Sequence, residues 1–247
     1  MKKAPILILG LFLGLTACSH YQLPVNHLDT PESRGQGQIG RFELLGLSMS
    51  NDLSASPSQG SPPAGSTTLP APKLQVGITP SLGALIGLTD QVDVGVRLEP
   101  QAPLSFRFKY QFMGNPETKA APQDISMAIS LAPGILIGSY NGQSTTYFSG
   151  DFALLMGYRI NNRNLFLITP FLTFGALSGI PLDATVAPGT LNPGVGSGSV
   201  LQYGGAVGYQ YSLESIFFRG EVAYDLGTFG SSQISGVFAG ALFGFTL

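Results

Sequence analysis

Charged side chains fall an even number of residues apart in several stretches of this chain, and any chemistry would rest on them. Arg41 and Glu43 form one such set, Asp93, Arg97 and Glu99 another, and Arg107 and Lys109 a third. Asp151 and Arg159 follow, then Arg219, Glu221 and Asp225. Carboxylates and cations in equal measure can build an ion-pair network, ring the constriction of a pore, or act as acids and bases. Triad-type serine hydrolysis uses an imidazole beside the nucleophile. The two histidines, His20 and His27, both lie in a polar N-terminal stretch, so none of the charged stretches supplies that base. The single cysteine, Cys18, has no second thiol to pair with. There is no His/Cys cluster spaced for zinc and no Gly-rich loop ending in Lys-Ser/Thr for phosphate. Asp183 stands in a loop with no partner for acid–base work. The expectation is a non-enzymatic chain that needs no metal or cofactor.

A period of two places alternate side chains on opposite faces of a strand. The clearest case pairs Val76, Ile78, Pro80, Leu82, Ala84, Ile86 and Leu88 on one face with Gln75, Gly77, Thr79, Ser81 and Gly83 on the other. Val92, Val94, Val96 and Leu98 then oppose Asp93, Gly95, Arg97 and Glu99. Leu104, Phe106, Phe108, Tyr110 and Phe112 oppose Ser105, Arg107, Lys109 and Gln111. Further strands are expected over 124–138, 144–160, 164–177, 199–212, 215–227 and 234–247, with a weaker one over 37–48. Pro80, Pro133 and Pro170 are awkward inside strands, because proline donates no ladder hydrogen bond. The count is about ten, within a range of roughly 8 to 12.

Composition says what surrounds these strands. Charged residues make up 11% of the chain and mean hydropathy is +0.25, despite 33 Gly and 18 Pro. Soluble domains carry about 25% charge. A helical membrane protein shows apolar runs of about 20 residues, and none follows residue 18. High apolarity without long apolar runs fits an antiparallel transmembrane β-barrel, whose lipid face is diluted by the lumen face. A net charge of −2 leaves no footprint for nucleic acid.

The N-terminus reads Met1-Lys2-Lys3, then an apolar stretch from Ile6 to Leu15, then Leu15-Thr16-Ala17-Cys18-Ser19. These first 19 residues resemble the signal and lipobox of bacterial lipoproteins. The resemblance implies cleavage before Cys18 and a covalent lipid on that cysteine, and Ser19 implies transfer to the outer membrane. The chain closes on Val237, Ala239, Ala241, Phe243, Phe245 and Leu247, which resembles the C-terminal signal of outer-membrane barrels but ends in Leu rather than Phe. That resemblance implies recognition by the outer-membrane insertion machinery. Outer-membrane proteases, phospholipases and lipid A deacylases share such an architecture, but their sites depend on histidine.

The domain reading is therefore a signal peptide over 1–17, a lipidated periplasmic tether over 18–36 and a barrel over 37–247. Ten strands put both termini on one side, with the anchor in the periplasmic leaflet. The Ser/Pro/Gly-rich loops 49–72 and 178–198 then fall outside, as long connections should. Aromatic girdles follow: Tyr110, Tyr158, Phe166, Tyr211, Phe218 and Phe245 near the inner interface, and Phe148, Phe174 and Tyr224 near the outer one.

The lumen face carries the charges named first, together with small residues (Gly77, Thr79, Ser81, Gly83, Ser126, Ala128, Ser130, Gly204, Ala206 and Gly208) that leave room on one side. Three functions fit. One is a structural or surface-interaction scaffold with a charge-filled lumen. Another is a narrow pore for ions or small polar solutes. The third is a lipid-anchored soluble ligand-binding barrel similar to lipoprotein lipocalins, although their Gly-x-Trp signature is absent and their apolar residues turn inward. Beyond outer-membrane lipid, no surface partner is identified.

Overall fold

A computed structural model of the protein describes residues 22–24, 27–52, 76–98, 104–140, 143–181, 195–229 and 232–246. The signal peptide, Cys18, His20, Glu99, Asp183, Leu247 and most of both Ser/Pro/Gly-rich loops lie outside them. The described residues form strands and no helix. A short β1 (Gln22–Pro24) precedes ten longer strands: β2 (Ile39–Asp52), β3 (Val76–Gly87), β4 (Val92–Leu98), β5 (Leu104–Met113) and β6 (Ile125–Tyr140). After them come β7 (Gln143–Asn161), β8 (Asn164–Pro181), β9 (Val195–Leu213), β10 (Ile216–Phe229) and β11 (Ser232–Thr246). Each of β2–β10 pairs antiparallel with the next strand in sequence, and β11 pairs back onto β2. The result is a closed ten-stranded antiparallel barrel with its strands within a few residues of the periodic segments.

The faces sort by chemistry. Phe106, Phe108, Tyr110 and Phe112 are exposed on the outside of β5, while Arg107, Lys109 and Gln111 between them are buried. Phe148, Tyr158, Phe166, Phe174, Phe218 and Tyr224 are likewise exposed, and Tyr211 and Phe245 are partly so. Charge and apolarity are thus inverted relative to a soluble barrel. The alternation misses one thing about the interior. Leu155, Leu165, Leu167, Phe171, Phe217, Phe238 and Leu242 also turn inward and are buried, so the lumen has an apolar side. On β8 both faces are apolar, and a continuous apolar run hides which face is which.

The awkward prolines sit where the ladders tolerate them. Pro133 falls where β5–β6 pairing skips from Ser105↔Gly134 to Phe108↔Leu131. Pro170 falls where β7–β8 pairing skips from Ala153↔Phe171 to Met156↔Ile168. Pro80 follows the irregularity between Glu43 and Gly46 in the β2–β3 register. A missing donor costs little where no ladder bond is made. Register breaks on both sides of Glu43 also re-aim its side chain, as bulges do.

The largest departure from the sequence reading concerns the tether. Residues 27–35 are not a solvated linker: all nine are buried inside the barrel. Eight-stranded barrels are filled by wall side chains alone. Ten strands with small residues on part of the inner face leave room for one extended chain. At Gly157 a Cβ would come within 2.6 Å of Pro31 Cγ, and at Gly87 within 2.2 Å of the Gly35 carbonyl. The segment then turns through Gly35, at φ +93°, and passes by way of Gly37 into β2. That left-handed conformation is one glycine adopts without penalty.

Candidate functional site: the filled lumen

A segment without regular structure has main-chain donors and acceptors that must find partners when buried. Here the wall supplies them. Glu221 accepts from the backbone N–H groups of His27 (2.9 Å) and Leu28 (3.1 Å), and Arg219 donates to the Leu28 carbonyl. This clamp holds Leu28 at φ +48°, a conformation that costs a non-glycine residue strain. Its side chain packs against Phe217 and Leu242. Further along, Lys109 donates to the Glu32 carbonyl at 2.9 Å. Gln111 accepts from the Ser33 N–H at 2.6 Å, and Asp93 from the Arg34 N–H at 2.9 Å.

Side chains of the segment complete the network. Asp29 meets Arg107 at 2.7 Å and Lys109 at 3.8 Å. Glu32 forms a bidentate pair with Arg159. Arg107 also reaches Glu43 at 2.9 Å, and Arg97 approaches the same carboxylate at 3.2 Å. Lys109 and Asp93, opposite each other on β5 and β4, stand 2.9 Å apart. Gly83 leaves space for the Glu43 carboxylate, since a Cβ there would lie 2.5 Å from it. Gln202 donates to Asp225 at 2.9 Å. Phe217 lies between two guanidinium groups, 5.0 Å from Arg41 and 5.5 Å from Arg219. All the alternating charges named from sequence are buried or partly buried except Glu99, which is outside the described residues. They meet the segment more than they meet each other across the lumen.

Sequence reasoning did not include Asp29, Glu32, Arg34 or Glu117. Glu117, in the turn after β5, binds Arg34 at 2.6 Å and Arg41 at 2.5 Å and clasps the segment at the C-terminal end of the barrel. Burial alone would push its carboxyl up, but the guanidiniums of Arg41 and Arg34 overcome this and hold it down at about 2. Because the folded value lies below the ordinary 4.5, the clasp is complete above pH 4.5 and is lost as pH falls toward 2. The difference corresponds to about 3 kcal/mol. Wild type and Glu117→Gln are therefore expected to differ by about that amount at pH 7 and to converge near pH 2 in urea unfolding followed by circular dichroism. A constant gap across that range would contradict the clasp.

The exclusion of imidazole chemistry needs a correction, because His27 is carried into the lumen by the segment itself. Its Nε2 lies 2.8 Å from Asp151, and Thr173 donates to the same carboxylate oxygen at 2.7 Å. Its ring sits 4.6 Å from Phe171. In a hydrolytic triad the second imidazole nitrogen would meet a nucleophile. Here Nδ1 is buried with no hydrogen-bond partner among the described residues, and the Thr173 hydroxyl serves the carboxylate instead. The arrangement pins the segment to β7 and β8, and among the described residues no hydroxyl meets Nδ1. No protein-family model, curated protein or solved structure matches this chain.

Proposed function

We propose that this protein is an outer-membrane lipoprotein whose barrel spans the bilayer as a closed, non-enzymatic scaffold, sealed by its own N-terminal segment. The observation that carries this reading is the burial of residues 27–35 in the lumen, with their main-chain groups and charges met by the wall. A pore needs a wet, continuous path lined by charge. Here the charges that would line it are spent on the segment. The membrane setting is supported by the outward belt of Phe, Tyr, Leu and Ile, an apolar surface larger than soluble monomers expose. On the strands, every described Asp, Glu, Lys and Arg side chain is buried or partly buried. A soluble ligand-binding barrel would place these two classes the other way round. The outward face of the scaffold would then present the connections 53–75 and 182–194, where loops on a rigid frame carry binding.

Planar-bilayer recording of the refolded mature chain tests this, with a heat shift on SDS gels as proof of folding. A folded, electrically silent barrel is expected. Steady openings of the wild-type protein would replace the scaffold with the narrow pore. Detergent-free solubility with equal migration of boiled and unboiled samples would remove the membrane from the reading altogether.

A further inference from the structure

We propose that the chain threads its own barrel from the outward face to the inward face, so that the lipid expected on Cys18 sits in the outward leaflet, at the cell surface. This rests on the membrane-lipoprotein reading above and reverses the side on which the sequence placed the anchor.

The direction of travel is fixed by β1. Its residues pair antiparallel with the far end of β2, as Gln22↔Asp52, Leu23↔Asn51 and Pro24↔Ser50. Residues 50 and 51 of β2 pair with β3 along their other edge. The edge that β1 takes is the one β11 vacates. Pairing of β11 with β2 stops at Gly240↔Ser48, while β11 runs on to Ser232 against β10 alone. The seam between the first and last barrel strands thus opens at this end, and β1 pairs along the β2 side of it. From there the segment meets Asp151 and Glu221 at His27, then Arg107 at Asp29, then Asp93 at Arg34, and reaches Asp90 at Gln36.

The end occupied by β1 also holds the long connections 53–75 and 182–194. The opposite end holds the short turns after β3, β7 and β9, and Thr246 paired with Arg41. Outer-membrane barrels keep short turns in the periplasm and long loops outside. Distance then decides the leaflet. Cys18 precedes Gln22 by four residues, which span at most about 14 Å. From Asp52 back to Arg41 along β2 is about 36 Å at 3.3 Å per residue. An anchor starting at the outward end cannot reach the inward leaflet, because the chain between Gln22 and Gln36 is already used in crossing. Since the barrel is closed, the anchor cannot be withdrawn without unfolding it.

An epitope inserted after His20 in the full chain tests this in intact cells, with a second epitope within 53–75 as reference. Threading predicts that both are labelled to within twofold of permeabilised cells. Labelling of the 53–75 epitope alone, with the first appearing only after permeabilisation, would overturn the threading and leave the membrane scaffold standing. Labelling of neither, in a protein released without detergent, would overturn both. A Leu23→Cys/Asn51→Cys pair in the otherwise unaltered chain decides the matter should the insertion abolish the heat shift. A cross-link on non-reducing gels supports the threaded path, and a folded barrel that forms none removes it.

Discussion

Replacing Asp29 and Glu32 together with alanine is expected to turn a silent barrel into an anion-preferring channel. Asp29 answers Arg107 and Lys109, and Glu32 answers Arg159. Removing one member of a buried pair costs about 3–5 kcal/mol, because the other charge is left without compensation. Two such losses approach the 5–15 kcal/mol that holds a whole domain folded. The wall has no need to unfold in response, since its ladders from β2 to β11 do not depend on residues 27–35. The lower-energy route is for the segment to loosen within the lumen, still tied to β1 and β2, and for water to solvate the exposed guanidiniums. The lumen then holds Arg107, Lys109 and Arg159 without two of the carboxylates that balanced them, so chloride should permeate more readily than potassium. Single-channel recording of the double variant checks both parts. A variant that keeps its heat shift and stays silent would mean that Leu28 packing and the Glu221 clamp seal the barrel without the carboxylates.

Where the sequence was legible, the reason is the period of two. Charges at alternate positions of β4 and β5 could satisfy only one face, and both the face and the strand limits could be read from them. The barrel is also dominated by neighbouring-strand pairs, so a list of strands in order nearly gives the topology. The plug was not legible for a physical reason. Residues 27–35 have no period, because they belong to no sheet, and their main-chain partners are side chains far away in sequence. His27 to Asp151 and Glu32 to Arg159 are separated by more than a hundred residues. Polar residues with Pro31 and Gly35 look the same whether water or a charged wall solvates them. One trace was present: the small residues of the inner face left room on one side of the lumen, but nothing in the sequence said what would fill it. The inward apolar residues of β8 were hidden for the opposite reason, since Phe166 and Leu167 differ in face but not in hydropathy.

Arg107→Met is expected to destabilise the barrel by about 3–5 kcal/mol, the cost of leaving buried carboxylates unpaired. Methionine keeps much of the volume and removes the charge. Asp29 and Glu43, which Arg107 holds at 2.7 and 2.9 Å, would then be left with weaker partners. Asp29 keeps Lys109 at 3.8 Å and the Thr30 N–H at 2.7 Å, and Glu43 keeps Arg97. Adding Asp29→Asn should recover part of the loss, because the variant then buries one carboxylate fewer beside the missing cation. A coupling of 0.5–3 kcal/mol in the double-mutant cycle is the signature of direct contact. Lys119→Ala supplies the comparison. Its pair with Asp90 is as short, at 2.6 Å, but the two side chains are 61% and 48% exposed. Exposed pairs contribute about 0–1 kcal/mol, so urea unfolding in detergent should separate the two substitutions clearly. If Arg107→Met cost no more than Lys119→Ala, the lumen charges would have to be solvated. A solvated lumen is an open one, and the plug would then be only a loosely held strand in a wet barrel.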